Sequence, residues 1–207
     1  MNNLEMFGNH INFFFSMYYN GFNCFDTIHN ASHDMTNKEY LIDNVKYNEM
    51  TTVSMDYIVK NGYKFYKKAT TKKLPNTVDS FMIDKNNIWY FIEFKNQKIS
   101  NAKRNIDAKG LNNLLVIIDI MRHSMKKKEI EFDNLDPMNF IRNNCVYIVV
   151  VNGEKDPETK NQVRNKNLIS EKYTPEFLEK FKQFYFKDAY VYTTEFFEHK
   201  FLSNFSY

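Results

Sequence analysis

Apolar and polar positions along the chain change their period several times, and each change marks an element. "TVDSFMID" (77–84) and "IWYFIEFK" (88–95) are two short runs rich in β-branched and aromatic residues, separated by the polar break Lys85–Asn87. So short a break makes them an antiparallel hairpin. In the second run Ile88, Tyr90, Ile92 and Phe94 fall on one face, and Trp89 and Phe91 on the other. A strand apolar on both faces sits in the middle of a sheet with helices over it.

Upstream, Leu41, Val45, Val53 and Ile58 recur at roughly helical spacing. Thr36 with Glu39 fits a capping box, and Asn61-Gly62 fits a helix end, so a helix is expected over 36–61. Asp43-Asn44 is an alternative cap for a shorter helix starting near Lys46. "YKFYKKAT" (63–70) alternates lysine with aromatics, as a half-exposed strand does. Downstream, Ile106, Leu114, Ile117 and Met121 predict a long helix over about 101–125. Gly110 weakens that helix by about 1 kcal/mol relative to Ala, and its small size suits close packing on the sheet. Asp136-Pro137 starts a helical turn, "CVYIVVV" (145–151) is a buried strand, and 152–167 reads as a long polar loop. Asp156-Pro157 reads as a turn within it. A helix from Thr174-Pro175, a strand over 189–193 and a final helix after Thr194 complete the chain.

The expected fold is therefore α/β, with one mixed central sheet flanked by helices. The 207 residues form a single domain: an aromatic N-terminal extension (1–35), a core (36–151), and a C-terminal helix–strand–helix (152–207) that completes the sheet. The extension reads as a helix packed on the core or as a contact in a homodimer.

Composition narrows this picture only a little. Twenty Phe and 14 Tyr with few Gly and Pro belong to a packed protein, not a disordered one. A net charge of +3 leaves any polyanion-binding face to local lysine clusters. Lys67, Lys68, Lys72 and Lys73 form one such cluster before Asp79; Lys103, Arg104 and Lys109 form another on the long helix. Cys24 and Cys145 lie far apart, with no zinc spacing, and read as buried free thiols. The longest aromatic run, 13–19, falls well short of the roughly 20 apolar residues needed to span a membrane. With no basic leader at its start, the chain reads as cytoplasmic.

The chemistry lies in the hairpin. Glu93 and Lys95 share a face of a strand built to be buried, and Asp79 falls almost opposite Glu93 on the paired strand. Two neighbouring carboxylates repel, and a divalent cation with hard oxygen ligands, Mg²⁺ or Mn²⁺, relieves the repulsion. A lysine beside them can hold the attacking water or stabilise charge on a phosphodiester. The alternative is an ion-paired trio that fixes strand register.

Asp79 followed by Glu93-Phe94-Lys95, with a helix before and a helix and strand after, resembles the PD-(D/E)xK nuclease superfamily, which includes many restriction endonucleases and repair nucleases. The likeness covers roughly 36–151, with Val78 where many members have proline. It implies a restriction-endonuclease-like core (αβββαβ) and Mg²⁺-dependent hydrolysis of a nucleic acid, DNA by the family's habit. It also implies metal ligation by Asp79, Glu93 and the Phe94 carbonyl, with Lys95 acting on the water. Such families often add an acid from the first helix. Glu39, Asp43 and Glu49 compete for that role, and Glu49, at the edge of the apolar stripe, is the preferred fourth catalytic residue. Gln97 stands just beyond the strand, where it could touch the site. His29 and His33, four apart, would share a helix face, but too few further ligands accompany them to make a metal site. A protein that keeps this fold without chemistry, binding nucleic acid or acting as an immunity-type module, is the competing expectation.

Overall fold

The computed structural model describes residues 1–126 and 136–207. The chain opens with helix α1 (Asn3–Ser16). The Asn2 side chain accepts from the Glu5 amide while the Glu5 carboxylate accepts from the Asn2 amide, a reciprocal capping box. Leu4, Ile11, Phe14 and Phe15 recur at helical spacing and are buried, so α1 packs on the core. Strand β1 (Phe25–Thr27), a single turn α2 (Ile28–Ala31) and a hairpin of β2 (His33–Asp34) with β3 (Glu39–Tyr40) follow. Next come β4 (Thr51–Val53) and α3 (Met55–Tyr57), which runs through a π-helical turn (Ile58–Tyr63) into α4 (Lys64–Tyr66). The hairpin partners are β5 (Ser80–Ile83) and β6 (Trp89–Lys95). The remaining elements are α5 (Ile99–Lys126), α6 (Pro137–Asn144), β7 (Cys145–Val151), α7 (Pro157–Leu168) and α8 (Glu176–Lys180), which continues as a π-helical turn (Phe181–Tyr185). Last are β8 (Asp188–Thr193) and α9 (Thr194–Phe196), which passes into a second such turn (Phe197–Phe201).

Six strands form one mixed sheet in the order β1-β4-β5-β6-β7-β8. Its first four strands pair antiparallel, and β6-β7 and β7-β8 pair parallel. Parallel neighbours need crossovers, which α5 and α7–α8 supply. Helices cover both faces. On the Phe91–Glu93 face, Tyr147 of β7 donates to the Ile106 carbonyl of α5 at 2.9 Å, and Phe7 of α1 packs on Phe81 and Trp89. On the other face, Tyr90 and Phe94 meet Phe201 and Phe197. Strand β6 is thus central, as its two apolar faces imply. Both cysteines are buried and free, and no helix among the described residues is long and apolar enough to cross a membrane.

Three expectations are corrected. The helix over 36–61 does not form from either proposed cap; only its end is helical, from Met55, and that helix runs on past Asn61-Gly62 to Tyr66. The Asp34 carboxylate accepts from the amides of Thr36 (2.9 Å) and Asn37 (3.4 Å), and Lys38 adopts φ 56°. A short polar side chain has captured backbone donors and bent the chain into a hairpin. Val45, assigned to the apolar stripe, is 85% exposed, and Val53 lies in β4. The strand over 63–70 is also absent. Tyr63 and Tyr66 lie one helical turn apart and pack together at 6.2 Å, so the alternation belonged to a short helix; β4 takes the place beside β5. Most of the polar loop over 152–167, from Pro157 onward, is helix α7. Asp156 caps it, accepting from the Thr159 amide, with Pro157 at the first position. Only Thr159 and Val163 of α7 are buried, which is why its periodicity is faint.

Candidate active site

The β5–β6 hairpin sets the register of the site. Asp84 Oδ1 accepts from the amides of Asn86 and Ile88, and Asn87 takes a left-handed φ of 58°. Ser80 then pairs with Ile92, so Asp79 stands one step beyond, across from Glu93. Asp79 Oδ2 accepts from the Phe94 amide at 2.8 Å, which holds its carboxylate against the end of β6.

Helix α5 brings the fourth member. Its first amide, Ile99, donates to Asp156 Oδ2 at 2.8 Å, so one buried aspartate caps α5 as well as α7. Gly110 lets the helix press on the sheet: a Cβ there would lie 2.9 Å from Phe181 and 3.0 Å from Tyr147. Lys109 is thereby carried over β6. Its Nζ donates to Asp79 Oδ1 at 2.7 Å and to Glu93 Oε2 at 2.9 Å. Lys95 Nζ donates to the other Glu93 oxygen, Oε1.

Glu93 is fully buried. Burial and the Asp79 carboxylate push its pKa up to about 8, against the pull of Lys109 and Lys95. Burial disfavours the charge on Lys109, but Glu93 and Asp79 outweigh it and hold the ammonium well above the usual lysine range. Asp79, Glu93, Lys95 and Lys109 form one ion-paired tetrad.

A cleft of about 280 Å³ reaches the tetrad from the side of the β2–β3 hairpin. Asp79, Phe94, Lys95 and Asn96 line one wall, and Glu93 lies behind them. Asn96 clamps the opposite wall in place. Its Nδ2 donates to Asp34 Oδ2 (2.9 Å) and Glu39 Oε2 (2.8 Å), and its Oδ1 accepts from Asn152 (2.9 Å). Lys155 also donates to Glu39 at 2.8 Å.

The structure brings Asp79, Glu93 and Lys95 together as the hairpin register implies. The Phe94 backbone joins them through its amide, while its side chain packs on the opposite face against Phe197. Glu49 is a correction: it sits in the exposed turn before β4, off any helix, and neither lines the cleft nor bonds the tetrad. Asp43 is exposed as well, 3.8 Å from His29. Glu39 is the acid that reaches the site's surroundings, through Asn96. Gln97 lines the cleft. His29 and His33 do not share a helix face; both stack on Tyr40. Of the lysine clusters, Lys67 pairs with Asp119, Lys103 lies over the Phe177 ring, and Lys72 and Lys73 line a separate groove of about 470 Å³ with Lys60. Lys109, read as a surface contact, is buried.

Sequence reasoning missed the roles of Lys109, Asn96 and Asp34. A signal existed for the first. Lys109 and Asn113 fall on the stripe of Ile106, Leu114 and Ile117, where a helix packed on a sheet should be apolar. Asn113 is fully buried, and neither atom of its amide has a hydrogen-bond partner among the described residues.

Two carboxylates and nearby backbone carbonyls are hard oxygen donors of the kind that hold Mg²⁺, with water and phosphate completing its shell. Among the described residues no group of three or more His, Cys, Asp or Glu side chains is placed to hold a metal ion. The Lys109 ammonium bridges Asp79 and Glu93, so a divalent ion seated there would have to displace it. Compared with models of known protein families, with curated proteins and with solved structures, the chain matches none.

Proposed function

We propose that this protein is a metal-dependent nuclease that hydrolyses phosphodiester bonds of DNA. The observation that carries the reading is the facing pair Asp79 and Glu93, with Lys95 beside them in the wall of an open cleft. The surrounding order also supports a restriction-endonuclease-like core: antiparallel β4, β5 and β6, then crossover helix α5 and parallel β7.

In this reading Asp79, Glu93 and the Phe94 carbonyl hold Mg²⁺ or Mn²⁺, which supplies Lewis-acid neutralisation of charge at the attacked phosphate. Asp79 and Lys95 meet the substrate from the cleft wall. Glu93, buried, fixes the cluster from behind. The Lys95 ammonium orients the attacking water or donates to the phosphate oxygens as charge develops on them. Lys109 counters the carboxylates while the cleft is empty.

The Lys109 bridge specifically favours a second reading. In that reading the tetrad is a closed ion-pair cluster that fixes strand register, in a nucleic-acid-binding or immunity-type protein without chemistry. Cleavage of plasmid and of single-stranded DNA in Mg²⁺ or Mn²⁺ decides between them. The nuclease reading expects metal-dependent cutting that is lost in both Glu93→Ala and Lys95→Ala. No cutting by the wild type favours the closed cluster, and cutting that survives both substitutions rules these residues out as its site.

A further inference from the structure

The β2–β3 hairpin and the α2 turn before it share a pile of three aromatic rings. His29 lies on Tyr40 with centroids 3.9 Å apart and planes 10° from parallel. His33, the cross-strand partner of Tyr40, lies on it at 4.4 Å and 23°. At such separations only one ring fits on each face, so Tyr40 is sandwiched and His33 ends the pile. His33 also forms part of the wall of the 280 Å³ cleft, which it shares with Asp79, Lys95 and Gln97. The wall is preorganised, because Asp34, next to His33, is held by Asn96, by Asn37 and by the Thr36 amide.

We propose that this cleft takes one unpaired nucleotide of a single DNA strand, with its base laid on His33 and its phosphate turned toward Lys95. The inference rests on the nucleic-acid reading of the site and deepens it by naming the substrate class. A base in a duplex is already stacked on both faces and has none to offer. An unpaired base has a free face, and histidine is among the rings on which such bases stack. The cleft is at the small end of ligand sites, suited to one base rather than a duplex. Lys95 supplies the cation for the adjoining phosphate. The competing account is that the ring pile only holds two very short strands together.

The test is binding without chemistry. A short single strand carrying 2-aminopurine is titrated with the protein in EDTA and compared with a blunt duplex of the same sequence. The wild type is expected to quench the fluorescent base and to bind the single strand more tightly. His33→Ala should weaken that binding by about 5- to 150-fold, the range for one base–aromatic stack, and His33→Phe should restore it. Gln97→Glu leaves the ring pile intact, adds negative charge to the cleft, and should weaken binding as well. This keeps the test informative if His33→Ala disturbs the hairpin. Equal binding of single strand and duplex, or binding indifferent to both His33→Ala and Gln97→Glu, would overturn the proposal. Cleavage in Mg²⁺ is scored separately. Binding that depends on His33 without any cleavage would sink the nuclease reading and uphold this one.

Discussion

Lys109 Nζ and Glu93 Oε2 meet at 2.9 Å inside the protein, one from the long helix and the other from the central strand. The same ammonium reaches Asp79 at 2.7 Å, so a lysine stands between the two carboxylates proposed to hold a metal. Removing it should have two opposite effects. Without metal, Lys109→Met leaves buried carboxylate charge less compensated, a loss of about 3 kcal/mol with Lys95 still in place. With Mn²⁺, the competitor is gone and the ion should bind more tightly. The variant is therefore expected to melt below the wild type in EDTA and to gain more from Mn²⁺, since a ligand stabilises only the state that binds it. A smaller Mn²⁺-induced rise than in the wild type would count against displacement.

Asn113, one turn beyond Lys109, buries an amide with no partner among the described residues. An unsatisfied buried amide costs about 1–3 kcal/mol. Asn113→Leu removes that cost with the same branching, its methyls being bulkier than the amide, and should raise stability by about 1 kcal/mol net, measured by urea denaturation. A loss instead would show that the amide is satisfied in solution.

At Gly110 two effects oppose each other. Alanine improves helix propensity by about 1 kcal/mol. Its Cβ would lie 2.9–3.0 Å from the Phe181 and Tyr147 rings, both fully buried. Overpacking of that kind costs about 1–3 kcal/mol, so Gly110→Ala should be net destabilised. A gain in the denaturation midpoint would mean the aromatic layer yields more easily than its packing implies.

The cleft wall should be acid-sensitive. Burial would push Asp34 up, but hydrogen bonds from Asn37, Asn96 and the backbone at 36–37 pull it down to about 2 from an ordinary 3.8. A carboxylate lowered in the folded state contributes stability that is fully present above about pH 3.8. That contribution is lost as the pH falls toward 2. Amides of residues 33–40 should lose hydrogen-exchange protection across that window ahead of those in β7. The selective loss should disappear in Asp34→Asn. Hairpin and β7 amides opening together would contradict it.

What could be read from the residues follows from how local each determinant is. Strand β6 announced itself through two apolar faces, and Asp79 found Glu93 because a short polar turn fixes a hairpin's register. The helix carrying Lys109 was legible from its stripe, and Gly110 packs where its size suggested. The start of the 36–61 region was not, because one side chain, Asp34, diverted backbone donors at Thr36 and Asn37 that a helix would have used. Helix α7 hid behind polar composition, although Asp156-Pro157 is an N-terminal signature. With the 36–61 helix went Glu49, a residue chosen only for its place on that helix. The pairing of Lys109 with the acids joins positions brought together only when α5 folds back over the sheet, and no local spacing encodes it.

The central claim is that Asp79 and Glu93 form a seat for a divalent ion. Calorimetric titration of the wild type, Lys109→Met and Glu93→Ala with Mn²⁺ tests it most directly. The account expects one ion per chain in the wild type, tighter binding in Lys109→Met and none at this site in Glu93→Ala. Absence of binding in both the wild type and Lys109→Met, or binding indifferent to Glu93→Ala, would contradict it.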